Sequence, residues 1–91
     1  MYQITMNDGT QYSVNWCGVF SGILNIQLIT DETLLQVASK FSDTSATETI
    51  EFHYGEMTTE HTGFTILNMV QDQRWQSGGV MVQLRKGESN G

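Results

Sequence analysis

The feature that most constrains the fold is a recurring alternation of apolar and polar side chains, interrupted by short turns that contain glycine. This two-residue period is typical of β-strands that bury one face. A first strand is predicted at 2–6, and Asp8-Gly9 predicts a tight turn into a second strand at 11–16. The second strand is expected to direct three large side chains to one face: Tyr12, Val14 and Trp16.

Four further segments carry a strand pattern: 23–29, 48–54, 63–70 and 80–85. The segment 23–29 is apolar on both of its faces, which indicates a central strand or one covered by a helix. Gly63 weakens the strand that contains it, so a bulge or kink is predicted there.

One helix is predicted, at about 31–41. Four of its side chains recur at helical spacing and are expected to face the core: Leu34, Val37, Ala38 and Phe41. Thr30 or Asp31 is expected to cap the helix, because their side-chain oxygens accept hydrogen bonds from free backbone N–H groups. The polar residues 42–47 then predict a loop.

These elements predict a single mainly β (α+β) domain over 1–86 with a flexible tail at 87–91. About six antiparallel strands are expected to form a small sandwich or barrel with one helix packed over it. The strands are rich in threonine and the chain contains no proline. The outermost strands of the sheet would therefore have unprotected backbone N–H and C=O groups that can pair with another chain, so self-association is expected at high concentration.

The charge balance excludes several kinds of partner. Ten acidic residues against four Lys and Arg give a net charge of −6. A nucleic acid or an anionic membrane would be repelled by this balance, so neither is expected as a direct partner. The apolar stretches are also too short to span a bilayer.

No residue pattern in the chain indicates an enzyme. Cys17 is the single cysteine, so an intrachain disulfide is impossible, and its apolar neighbours predict a small buried side chain. Nucleotide-binding glycine loops and nucleophile motifs do not occur in the sequence. We therefore predict neither catalytic residues nor a cofactor.

Acidic residues are concentrated in one segment that contains no Lys or Arg. Its members are Asp43, Glu48, Glu51, Glu56 and Glu60. With a four-residue turn at 55–58, His53 would face Glu60 as a polar pair on the solvent side. A weaker alternative is a metal site formed by His53, Glu51 and Glu60, although their spacing matches no strong metal motif.

Trp75 follows Arg74 in the polar connection between the last two strands. The tryptophan either folds back over a sheet edge or anchors a protein interface, because Trp and Arg are enriched at binding hot spots. We place the predicted protein interface at Arg74 and Trp75, with Glu56 and Glu60 as a flanking electrostatic guide.

Three segments give the chain a resemblance to a known class: MYQITMNDGTQY at 1–12, TIEFHYGE at 49–56 and TGFTIL at 62–67. They resemble strands of small proteins encoded in the tail-gene modules of phages and prophages of Firmicutes. The helix at 31–41 departs from many of these proteins, which are extended there. The resemblance implies a non-enzymatic accessory or structural protein, found in the host cytoplasm or the assembled virion.

The expected partner is therefore another protein or a second copy of this chain. An alternative follows from the acidic charge: a small phage-encoded inhibitor that occupies a basic channel of a host defence protein.

Overall fold

A single antiparallel sheet of seven strands, with two short helices, forms the structure that the computed structural model describes, over residues 2–71 and 79–87. The strands are β1 (Tyr2–Met6), β2 (Gln11–Phe20), β3 (Ile23–Ile29), β4 (Thr49–Tyr54), β5 (Met57–Thr62), β6 (Phe64–Gln71) and β7 (Val80–Lys86). The helices α1 (Leu34–Phe41) and α2 (Thr44–Thr47) connect β3 to β4. The predicted mainly β fold with a helix is confirmed. Apart from Gly87, the predicted tail at 87–91 lies outside the described residues.

The strand order in the sheet is β5-β4-β1-β2-β3-β7-β6. Strand β3 is an interior strand, one of the two arrangements that its apolar faces predicted, and it pairs with β2 on one side and β7 on the other. The described strands number seven instead of about six, because the polar residues 57–62 form β5 and pair with β4.

Gly63 joins the two edge strands of the sheet. Although β5 and β6 lie at opposite ends of the strand order, this residue alone separates them in the chain. The Gly63 N–H donates to the carbonyl of Glu48 (3.0 Å), and the Gly63 carbonyl accepts from the N–H of Gly87 (2.7 Å). The sheet therefore curls until the start of β4 approaches the end of β7. Gly63 has a φ of 76° and separates β5 from β6, so the residue at which a bulge or kink within one strand is predicted is instead the joint between two strands.

The hydrophobic core fills the concave side of this curled sheet. Three core side chains come from the helices: Val37, Phe41 and Ala46. The strands supply the larger part: Ile4, Met6, Tyr12, Val14, Cys17, Leu24, Ile26, Leu28, Ile50, Phe52, Phe64, Val80, Val82 and Leu84. The prediction that Cys17 is a small buried side chain is confirmed, since only 4% of its surface is exposed.

A β-bulge at Asn15 changes the faces of β2. Val14 pairs with Leu28 and Trp16 with Gln27, which leaves Asn15 without a partner on β3. The extra residue reverses the alternation beyond it, so Cys17 turns inward and Trp16 outward. The prediction that Trp16 shares the inner face with Val14 is therefore wrong.

Helix α1 begins later than its sequence pattern suggested. Thr33, not Thr30 or Asp31, is its N-cap, and the Thr33 hydroxyl accepts a hydrogen bond from the N–H of Gln36 (3.1 Å). The Gln36 side chain accepts in return from the N–H of Thr33 (2.8 Å), which completes a capping box.

Two details of the helical region differ from our predictions. Leu34 is the first residue of α1 and is 36% exposed, so its predicted place in the core is wrong. The expected loop at 42–47 contains α2, whose N-cap Asp43 accepts from the N–H of Ser45 (3.0 Å). In the part of the chain that the structure describes, neither helix is long and apolar enough to cross a membrane.

Candidate functional site: two surfaces on the convex face

The convex face of the sheet carries two surfaces of different chemistry. The acidic surface lies on β4 and β5 and consists of Thr49, Glu51, His53, Thr58, Glu60 and Thr62, with Glu56 in the turn between the strands. The aromatic–amide surface lies on β2, β3 and β7 and consists of Trp16, Phe20, Ile23, Asn25, Gln27, Met81 and Gln83. Both arise because alternate residues of each strand point away from the core.

Two carboxylates lie directly opposite each other at the centre of the acidic surface. Strands β4 and β5 are joined by the two-residue turn Gly55-Glu56, and Gly55 has a φ of 63°. This tight turn pairs Glu51 with Glu60. The four-residue turn that we had considered would have paired His53 with Glu60, and that pairing is wrong. Like charges directly opposite each other repel, so this pair is expected to lower the stability of the free protein.

His53 is held by threonine hydroxyls. Its Nε2 lies 3.0 Å from Oγ1 of Thr5, and its Nδ1 lies 3.1 Å from Oγ1 of Thr58, the residue opposite it on β5. Among the residues described, no group of three or more His, Cys, Asp or Glu side chains could hold a metal ion. The structure thus does not assemble His53, Glu51 and Glu60 into a ligand set.

The charge of the acidic surface is not balanced by ion pairs within the described residues. The one ion pair among the described residues lies outside this surface and joins Lys40 to Asp8, with Nζ and Oδ2 2.7 Å apart. The Lys40 ammonium, helped by the N–H of Thr10, holds the pKa of Asp8 well below its usual range. Among the described residues no Lys or Arg forms an ion pair with Glu51 or Glu60, so these two carboxylates are available to a basic partner.

An aromatic pair dominates one side of the aromatic–amide surface. The rings of Trp16 and Phe20 are stacked, with centroids 5.2 Å apart and planes inclined by 20°. Between them in sequence is Gly18, which has no side chain, and the indole ring of Trp16 occupies the space above it. Phe20 is 63% exposed, so most of its ring faces solvent.

A row of amides crosses the middle of the same surface. Asn25 pairs with Gln83 across β3 and β7, and Asn68 of β6 lies on the far side of Gln83. The Nε2 of Gln83 donates to Oδ1 of Asn25 (3.0 Å), and Nδ2 of Asn25 donates to the carbonyl of Ile23 (3.1 Å). These bonds fix the orientation of two amide groups within an open groove of about 410 Å³.

Sequence reasoning missed the aromatic–amide surface because it placed Trp16 in the core. The sequence did indicate the bulge. Apolar residues of β2 stand at even positions up to Val14 and also at odd positions from Cys17, which is what an extra residue in a strand produces. Of the residues predicted to form the interface, Glu56 and Glu60 are exposed on the acidic hairpin. Arg74 and Trp75 lie outside the described residues.

The buried thiol of Cys17 is unsuited to nucleophilic chemistry. Desolvation by burial raises its pKa to about 12. At neutral pH the sulfur is therefore protonated, whereas the thiolate is the reactive form.

No protein-family model, curated protein or solved structure matches this chain. The two surfaces are therefore the features of the molecule from which a function can be inferred.

Proposed function

We propose that this chain is a non-enzymatic protein–protein interaction module that docks a basic partner on its acidic surface. The observation that carries the proposal is the direct opposition of Glu51 and Glu60 on β4 and β5. A cross-strand pair of like charges lowers the stability of the free protein. A cationic group from a partner would reverse that cost, because it would interact favourably with both carboxylates.

The neighbouring edge of the sheet supports the same role. Strand β5 is an edge strand, so one row of its backbone groups has no neighbouring strand in the described structure. Edge strands are templates on which another chain can add a strand. A partner that pairs with β5 would lie beside Glu60, and a second copy of this chain remains within the proposal.

The assembly in which the module acts is proposed from the sequence. The segments at 1–12, 49–56 and 62–67 resemble those of phage and prophage tail-module proteins, and two of these segments supply β1 and β4. We therefore place the protein as an accessory component of a phage or prophage tail or virion. It would act in the host cytoplasm or in the assembled particle.

The second candidate, a phage-encoded inhibitor of a host defence protein, is favoured by the same acidic hairpin. Carboxylates without cationic partners can imitate the phosphates of a nucleic acid and occupy a basic channel. The density of acidic groups separates the two candidates, because a phosphate mimic needs a longer series of carboxylates than one pair and Glu56.

The proposal is tested with the purified chain and the products of the genes that flank its own. Association would be measured by biolayer interferometry at several salt concentrations. We expect one product to bind with an association rate that falls as salt rises. Glu60→Gln should lower that rate several-fold, whereas Asp31→Asn, an equal charge change outside the acidic surface, should not.

Two results would contradict the proposal. One is that no flanking product binds, and the other is that binding is equally fast in Glu60→Gln and at every salt concentration. Flanking genes that encode tail proteins would favour the virion role, and a cluster of small early genes would favour the inhibitor.

A further inference from the structure

The aromatic–amide surface is arranged in three rows that run across β2, β3 and β7. The upper row contains Phe20, Ile23 and Arg85, and the lower row contains Trp16, Gln27 and Met81. The middle row contains Gly18, Asn25 and Gln83. Both aromatic side chains thus lie on β2, and the amides of Asn25, Gln27 and Gln83 lie beside them on β3 and β7.

This order differs from that of a protein-docking site. Protein interfaces have an apolar centre that excludes water and a polar periphery. Here the amides of Asn25 and Gln83 occupy the middle row, and the two aromatic rings lie to one side of them, on β2. A ligand that fits presents an apolar face to the aromatic rings and hydrogen-bonding groups to the amides.

The amides of the middle row have defined donor and acceptor roles. Because Nε2 of Gln83 donates to Asn25, the Oε1 atom of Gln83 is turned away from that bond. Nδ2 of Asn25 gives one hydrogen to the carbonyl of Ile23 and retains a second. The groove thereby offers both an acceptor and a donor at fixed positions, as a hydroxyl-rich ligand requires.

The aromatic pair provides a stacking platform beside these amides. Gly18 permits the indole ring of Trp16 to lie low across β2, where it supports the ring of Phe20. A rigid aromatic with most of its surface exposed costs little conformational entropy on binding. Aromatic faces are electron-rich and attract the weakly positive C–H groups of a saturated ring.

The lining of the groove is uncharged, although the chain has a net charge of −6. The nearest charge by register is Arg85, which pairs with Ile23 in the upper row but is not among the residues that line the groove. A nucleic acid needs cationic contacts to its phosphates, so an uncharged groove on an acidic protein does not suit it. A neutral ligand meets no such penalty.

We propose that this groove binds a neutral oligosaccharide, with a sugar ring stacked on Phe20 and its hydroxyl groups hydrogen-bonded to Asn25 and Gln83. Along β3 the groove extends from Ile23 to Gln27, about 13 Å at the rise of a β-strand. That length accommodates a short run of sugar units. The site is separate from the acidic surface and does not depend on the protein-docking function.

The test is a titration of the ¹⁵N-labelled protein, followed by NMR, with chitohexaose, cellohexaose and maltohexaose. We expect at least one of these glycans to shift the amide signals of β2, β3 and β7, with saturation in the millimolar range or below. Phe20→Ala should weaken binding at least tenfold. Val19→Ala removes an exposed apolar side chain from the opposite face of the same strand and should leave binding unchanged.

A second variant tests the hydrogen bonds of the groove without changing the aromatic stack. Gln83→Leu retains the size of the side chain but removes its hydrogen bonds, and it should weaken the same glycan several-fold with the stack intact. The proposal fails if none of the glycans shifts a signal of the groove, or if the shifts map elsewhere. It fails equally if folded Phe20→Ala binds as the wild type does. Shifts of the groove by a protein partner alone, with no response to any glycan, would reassign it as a protein-docking surface.

Discussion

The indole ring of Trp16 lies against the backbone of Gly18, so a methyl group at residue 18 would be 2.7 Å from Cζ2 of that ring. The contact is closer than van der Waals packing permits. Only glycine at this position allows the ring to lie low over β2 and to stack on Phe20.

Gly18→Ala is therefore expected to displace the indole ring and separate it from Phe20. The ring is the mobile end of a side chain, so the free energy of unfolding should fall by only about 1 kcal/mol, at the lower end of the cost of overpacking. The fluorescence of Trp16, measured in a Trp75→Phe background, should change in intensity and emission maximum. An unchanged spectrum would mean that the stack does not depend on Gly18.

Phe41→Ala is expected to be the most damaging substitution in α1. Phe41 is 1% exposed and its ring lies 5.9 Å from that of Tyr12, so truncation should cost about 3–5 kcal/mol. Leu35, on the same helix, is 79% exposed, and Leu35→Ala should change stability by less than about 0.5 kcal/mol. Urea unfolding curves compare the two variants. Equal midpoints would contradict the orientation of the helix.

The thiol of Cys17 is expected to make stability depend on pH in alkaline solution. Burial raises its pKa to about 12, whereas an unfolded chain has a cysteine pKa of about 8.5. Between these values the unfolded state loses the proton and the folded state keeps it, so the free energy of unfolding falls as pH rises. Cys17→Ala should reduce that slope.

The same burial predicts that the native thiol is unreactive. Ellman's reagent at pH 8 should label Cys17 slowly in the folded protein and at once in urea. Rapid labelling without denaturant would contradict the burial of this residue.

Glu60→Gln is expected to stabilise the free protein. It removes the repulsion from Glu51, the residue opposite, so the free energy of unfolding should rise by about 0.2–1 kcal/mol at low salt. Glu56→Gln makes the same change in net charge within the turn and should have a smaller effect. Thermal melts at low and high salt compare the variants, and the gain should vanish at high salt because the repulsion is then screened. A loss of stability in Glu60→Gln would contradict the observed register.

Predictions from sequence were accurate where a simple period determines the structure. Strands β1 and β3 have their predicted bounds, because a glycine-containing turn follows β1 and another precedes β3, so each apolar pattern has a clear limit. Trp16 was misplaced because the period does not indicate where an extra residue enters a strand. The pairing of β2 with β3 leaves Asn15 as the extra residue. In that register Val14 and Cys17 both face the same core as the buried side chains of β3.

The site was less predictable than the fold. Whether Glu60 faces Glu51 or His53 depends on the length of one turn, and a difference of two residues changes the partner. The start of α1 depended on a local competition: Thr33 and Gln36 form a reciprocal cap that Thr30 and Asp31 cannot match. The aromatic–amide surface requires β3 to bring β2 and β7 together, although they are far apart in sequence.

The position of Gly63 has a consequence for the order of folding. Tyr2 of β1 pairs with Tyr54 of β4, and Ile23 of β3 pairs with Arg85 of β7. Both of these strand pairings therefore join residues that are far apart in the chain. Contacts of this kind form slowly. The β1–β2–β3 meander can form early, whereas the hydrogen bonds of Gly63 to Glu48 and Gly87 require both later pairings to be complete. Until they form, the edge of β3 that later pairs with β7 stays open, so the joint between β5 and β6 at Gly63 is expected to close last.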